Sequence, residues 1–183
     1  MKLLGLLRHA KSDWGDSNLR DFDRGLNERG RRGSKVIGEH IAQQGTHWDM
    51  LLASPAVRVK ETLTGALAHA EPEFDTRLYL ASFETIIEAV QSHAAKACEE
   101  AGAEPDAILL AGHNPGLQEL ILELVSPSHE TDLFREAAIK FPTASYAILE
   151  CPVDSWNDLK PRTAKLVHFM RPRDLDPELG PKR

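Results

Sequence analysis

The chain is short of most features that would class it at sight. Its 183 residues include only two cysteines, Cys98 and Cys151, too few and too isolated for a disulfide framework or a cysteine-based metal motif. The compartment expected from that usage is a reducing cytoplasm. No apolar run approaches the roughly 18 to 20 residues of a membrane span. The N-terminal leucines are too few for a signal peptide, and Arg8 interrupts them. Excess positive charge is also missing: 22 Lys and Arg stand against 28 Asp and Glu, a net charge of −6. That balance argues against a general nucleic-acid binder. It leaves small anionic ligands open, because they respond to a local cluster and not to the whole-molecule sum. Repeats and linker-like stretches are absent too, so residues 1–170 are expected to form one domain.

Three short apolar runs share one design. Leu3 to Leu7 ends at "RHA", Asp49 to Ala53 ends at "SPAVR", and Ala107 to Gly112 ends at "HNPG". Consecutive apolar positions suit strands buried on both faces of a parallel sheet. Helical patterns lie between them, as parallel pairing requires. A first helix is expected from Asn27 to Gly45, with Val36, Ile37, His40 and Ile41 on one face. Ser54-Pro55 is expected to cap and start a second. A third spans about Glu84 to Ala101, closed by Gly102, and a fourth follows Asn114-Pro115. "TASYAILEC" and "TAKLVHF" read as an antiparallel edge pair. The segment 171–183 has three prolines, many charges and little to pack, so a tail that is loose or draped on the surface is expected. The fold class is α/β, with a mostly parallel sheet and helices on both faces.

Ligands in such sheets bind at the carboxyl ends of the strands. All three runs end there in chemistry: Arg8-His9, then Ser54 to Arg58, then His113-Asn114. Two arginines, two histidines and two helix N-termini would converge on one edge, which suits a doubly charged tetrahedral oxyanion, most simply a phosphoryl group. One neutral imidazole could attack phosphorus and form a phosphohistidine that water later cleaves. The other, protonated, would serve as a donor to the oxygens. Rival chemistries lack their marks: His9 and His113 have no neighbouring ligand pattern for a metal, and neither a G-x-S-x-G elbow nor a Walker loop is present. His40, His69, His93, His129 and His168 read as background.

"LLRHAKSDW", "LLASPAVRVKETL" and "LLAGHNPGL" together resemble the histidine phosphatase superfamily, with its phosphoglycerate-mutase-like fold, and within it the small SixA-type phosphohistidine phosphatases. The resemblance implies a three-layer sandwich, no metal and no cofactor. It implies His9 as nucleophile, with Arg8, Arg58 and His113 completing the phosphate pocket. "DFDRGLNERG" is similar to the segment of that branch where an Asp and an Arg border the pocket, which makes Arg24 and Asp21 candidates for substrate binding; Asn114 and Ser12 join them. Larger superfamily members carry an acidic proton donor before the third helix. Here that region reads "RLYLASFETI", and Glu84 is the nearest carboxylate, with Asp21 the other weak candidate. A site without an acid favours phosphoramidates, whose imidazole leaving group is protonated near neutral pH. The expected activity is therefore a metal-independent phosphatase for protein phosphohistidine, with a phosphorylated partner such as a histidine-phosphotransfer domain. The alternatives are a phosphatase of a small phosphorylated metabolite, or a module that binds phosphate or phosphohistidine without turnover.

Overall fold

In the computed structural model, which describes residues 1–181, the consecutive apolar runs become the inner strands of a sheet. The elements follow in the order β1 (Lys2–Arg8), α1 (Glu28–Gln44), β2 (Met50–Ala53), α2 (Val57–Ala66), β3 (Glu73–Phe74), α3 (Phe83–Ala101), β4 (Ala107–Gly112), α4 (Gly116–Leu124), α5 (Asp132–Ile139), β5 (Tyr146–Cys151), β6 (Lys165–Met170) and α6 (Pro172–Leu175). Across the sheet the order is β3-β2-β4-β1-β5-β6. The first four of these run parallel, while β5 and β6 close the edge antiparallel.

The runs are apolar at every position because both faces are covered. Leu4, Leu6, Leu52, Ile108 and Leu110 pack beneath α3, α4 and α5 with Val90, Leu120 and Phe134. Leu7, Leu51, Ala53, Leu109 and Ala111 pack against α1 and α2 with Ile37, Ile41, Val59 and Leu63. This is the expected three-layer α/β sandwich. Gly5, between the two leucine pairs of β1, is required by close packing: a Cβ there would lie 2.5 Å from the Trp48 ring.

Capping residues act where their chemistry dictates. Asn27 accepts from Gly30 N at 2.8 Å, and Gly45 ends α1 in the left-handed region at φ 81°. Gly102 ends α3 in the same way. One helix start differs from expectation. The second helix begins at Val57, not at Ser54-Pro55, because the Ser54 hydroxyl is engaged by His113 and by Ala56 N and so forms the turn ahead of the helix. The fourth begins at Gly116, with Asn114 Oδ1 accepting from Gln118 N one turn later. The sequence patterns did not reveal β3 and α5: β3 is an exposed two-residue strand, and α5 buries only Phe134 and Ala137 in its eight residues, too short for a periodicity.

The tail is draped, not loose. Arg32 pairs with Asp176 and Glu178, and Arg29 donates to the carbonyls of Glu178 and Gly180, so the segment from α6 to Pro181 lies as a strap across the N-terminal half of α1. Its charges are what hold it. Lys182 and Arg183 lie outside the described residues. Among the described residues, no helix is long and apolar enough to cross a membrane.

Candidate active site

Strand register brings the three chemical segments together. Arg8 pairs with Gly112 at the end of β1 and β4, and Ala53 pairs with Ala111 at the end of β2 and β4. His9, Ser54 and His113 therefore leave the sheet side by side, and α2 and α4 begin within a few residues of the same edge, their positive ends toward it.

His9 is 8% exposed, and its Nδ1 lies 2.7 Å from the carbonyl of Ala10. A carbonyl only accepts, so Nδ1 carries the proton and Nε2 keeps its lone pair. The His113 ring centroid is 5.3 Å from that of His9. His113 Nδ1 accepts from Arg58 Nη2 at 3.3 Å, which leaves Nε2–H to donate to the Ser54 hydroxyl at 2.7 Å. Arg58 is 4% exposed. It donates to the Asp21 carbonyl at 2.8 Å and to the Asp21 carboxylate at 3.0 Å, and the Tyr79 hydroxyl donates to the same carboxylate oxygen. Arg8 donates through Nη1 to the Phe141 carbonyl at 3.0 Å, whereas its buried Nε has no partner among the described residues.

The cluster carries uncompensated positive charge. Burial, with Arg8 and Arg58 adding to it, pushes His9 down to about 4, even though the bond to Ala10 works the other way. Burial, His9 and Arg58 push His113 down to about 3. Both imidazoles are thus neutral at pH 7. For His113 this departs from the protonated donor expected from sequence, because the ring is buried and lies beside His9 and Arg58. Asp21 is held below the usual carboxylate range, first by the Tyr79 hydroxyl and then by Arg58. It is ionised and has no proton to give.

Comparison with known proteins places this arrangement. The profile of the histidine phosphatase superfamily (branch 1) matches residues 4–84. A solved structure from Agrobacterium tumefaciens that carries the name phosphohistidine phosphatase SixA superposes with a TM-score of 0.71 at 27% identity, over 92% of this chain and 97% of that one. A SixA-named structure from Nakamurella multipartitia gives a TM-score of 0.77 at 25% identity, over 93% and 96%. The chain belongs to the histidine phosphatase superfamily. An uncharacterized protein of Mycobacterium tuberculosis is 32% identical over 168 residues, covering 91% of this chain and 100% of its own length.

The remaining candidates of this histidine phosphatase fall into supporting places. Arg24 is buried and makes no hydrogen bond to the four among the described residues: it donates to the carbonyls of Asp16 and Leu19 at 3.0 and 3.2 Å and stacks over Trp14 at 4.3 Å. It braces the loop that ends at Asp21. Asn114 is spent at both ends of its amide, on Gln118 N and on the Phe141 carbonyl that Arg8 also uses. Ser12 forms an isolated bridge with Leu26, and its carbonyl accepts from Asn27. Glu84 lies exposed in the first turn of α3, and among the described residues it makes no hydrogen bond to the four.

Two side chains at the site went unread in the sequence. Thr62 accepts from Ala10 N at 2.9 Å and donates to the Arg58 carbonyl at 2.6 Å, tying the His9 loop to α2. Tyr79 stands edge-on to His113 at 5.5 Å and holds Asp21. For Ser54, expected as a cap at its strand end, the contact with His113 Nε2–H is the part that the sequence does not show. Thr62 lies four residues after Arg58 on α2, so helical spacing could have found it. Tyr79 carries no comparable signal.

Proposed function

We propose that this protein is a phosphatase that takes a phosphoryl group onto His9, acting on phosphohistidine borne by a partner protein. The observation that carries the reading is the state of His9: a buried, neutral ring fixed through Nδ1–H to Ala10, with no hydrogen bond to Nε2 among the described residues and with Arg8 and Arg58 near enough to lower its proton affinity. Asp21 pairs with Arg58, but Arg8 forms no ion pair among the described residues, and a phosphoryl dianion supplies the missing negative charge. Its oxygens would take donors from Arg8, Arg58 and the His113 ring, and its charge would raise the proton affinity of both imidazoles.

The chemistry follows in two displacements. His9 Nε2 attacks phosphorus, the P–N bond to the substrate imidazole breaks, and the departing imidazole takes a proton from solvent. Water then attacks the phosphorus on His9, the new P–N bond breaks, and inorganic phosphate leaves with His9 neutral again. Arg58 is held in line by Asp21, whose carboxylate Tyr79 orients. Among the described residues, neither candidate acid is poised to protonate an alkoxide: Asp21 is ionised, and Glu84 is exposed and makes no hydrogen bond to the four. That supports a phosphoramidate, whose leaving group is a far weaker base. The structural likeness to SixA-named proteins at 25% and 27% identity supports the same substrate class.

The test is a quench-flow reaction with a peptide labelled with 32P on histidine, followed by alkaline peptide mapping. Label retained on the peptide containing His9, with phosphohistidine hydrolysed at least about tenfold faster than a sugar phosphate at equal concentration, is the expected outcome. Label on another residue, or equal rates on the two substrates, overturns the reading.

A further inference from the structure

We propose that the protein carries, beside the phosphoryl pocket, a docking groove for an acidic polypeptide segment that flanks the phosphorylated residue; the proposal rests on the phosphoprotein reading above. A cavity of about 410 Å³ opens where the loop after β1, the first turns of α1, the segment before β5 and the strap after β6 meet. It lies on the edge of the sheet that holds His9. Ala10 and Lys11 of its wall follow His9 directly, and Lys140 and Pro142 flank Phe141, whose carbonyl holds Arg8.

Its charge is the reverse of the whole molecule's. Lys11, Arg29, Lys140, Arg171 and Arg173 line it, and no Asp or Glu is among the lining residues, in a chain of net charge −6. Arg171 is neutralised by Asp174 and Glu136. Lys11, Arg29, Lys140 and Arg173 form no ion pair with a carboxylate among the described residues. Solvated surface cations would be the plain explanation were they scattered over a convex face. Here they come from four separate segments around one concavity, whose floor includes Ala144, Pro172 and Leu179.

The occupant is a polypeptide and not a compact anion, for two reasons. Lys11 and Lys140 are exposed and the arginines half-buried, so the charges ring a groove and do not cage a single phosphate. The strap also displays the mode of recognition next door: an acidic stretch of this chain is held on α1 by Arg29 through its carbonyls and by Arg32 through Asp176 and Glu178. A second acidic chain laid along the groove would meet the cations the strap leaves free, with its phosphorylated residue entering the adjoining pocket. Rim charges of this kind act through long-range attraction, so the effect should weaken with salt.

The experiment measures binding of a fluorescent, unphosphorylated glutamate-rich decapeptide by anisotropy at low ionic strength, to the wild type and to Lys140→Glu/Arg173→Glu. The expected result is a loss of affinity of about tenfold in the variant and on raising salt to 0.5 M, with p-nitrophenyl phosphate turnover and circular dichroism unchanged. Lys140→Gln alone, the milder variant, should lose about threefold. Equal affinity in wild type and variants, equal binding of a neutral peptide, or displacement by an equimolar nucleoside triphosphate overturns the proposal. A second arm compares phosphohistidine peptides with acidic and neutral flanks. A kcat/KM advantage of about tenfold for the acidic flank, abolished in the double variant at unchanged kcat, is expected, and equal values contradict it. Binding of the decapeptide with no turnover of either phosphopeptide refutes the phosphohistidine reading while the peptide site stands.

Discussion

Two clusters in this fold gather the same residue types and do opposite things with them. Around His9, two arginines and two histidines share one carboxylate, Asp21, already committed to Arg58 and Tyr79. Around His93, between β3 and α3, the carboxylates suffice: Glu73 faces Nδ1 at 3.0 Å, Asp75 faces Nε2 at 2.9 Å, and Asp75 also takes Arg77 at 2.7 Å. Arg77 and then His93 hold Asp75 far below the usual carboxylate range. In the His93 cluster each basic side chain has a carboxylate partner. The His9 cluster retains positive charge that only an incoming anion can balance. The difference teaches that left-over charge, and not the presence of histidine and arginine, marks the site.

Substitution of the two histidines is the strongest way to break this contrast. His9→Gln should cut turnover of p-nitrophenyl phosphate by about 10³-fold or more, as loss of a covalent nucleophile does, while His93→Gln should leave it within twofold. Next come the arginines. Arg58→Ala is expected to lower kcat/KM by about 10²-fold through lost oxyanion stabilisation, with Arg58→Lys recovering only part because the fork is gone. Arg77→Ala, on a half-exposed ion pair, should shift unfolding free energy by no more than about 1 kcal/mol and leave kinetics alone.

The carboxylate between the clusters' extremes is sharpened by Tyr79→Phe. Removing the hydroxyl frees Asp21, so the Arg58 fork loosens and KM for phosphorylated substrates should rise about threefold to tenfold with little change in kcat. A loss confined to kcat would instead assign Tyr79 to proton transfer.

Much of this was legible before any coordinates. Three strands buried on both faces leave a run without alternation, and the change from apolar to charged at Arg8, Ser54 and His113 marks where each strand leaves the sheet. What stayed hidden depends on contacts between segments. Arg24 and Arg58 are both buried arginines near acidic residues, yet one closes on loop carbonyls and the other on Asp21 and His113, and only the path of the loop from Asp13 to Asp23 decides which. Tyr79 joins the site because the turn before α3 returns to the edge of the sheet, a fact of topology with no local pattern. The strap was unreadable for a related reason: its carbonyls find Arg29 and its acids find Arg32 about 150 residues earlier, and a charged, proline-containing tail looks the same whether or not such partners wait for it.

The burial that keeps both imidazoles neutral also has a signature in stability. Unfolded imidazoles take up protons below about pH 6.5, whereas His9 and His113 resist until about 4 and 3 in the folded protein. Between these limits the unfolded state binds more protons, so stability is full above pH 6.5 and falls as pH drops, by up to about 1.4 kcal/mol per pH unit for each ring. Urea titrations from pH 7 to 4 should therefore be flatter for His9→Gln/His113→Gln than for the wild type.

The claim that burial, reinforced by two guanidiniums, holds His9 neutral with its attacking nitrogen bare is open to direct observation by 15N-edited NMR of the imidazoles in the ligand-free protein. At pH 7, His9 should display a protonated Nδ1 and an unprotonated Nε2, with titration delayed to about pH 4. An imidazolium at pH 7, or the opposite tautomer, would contradict the account.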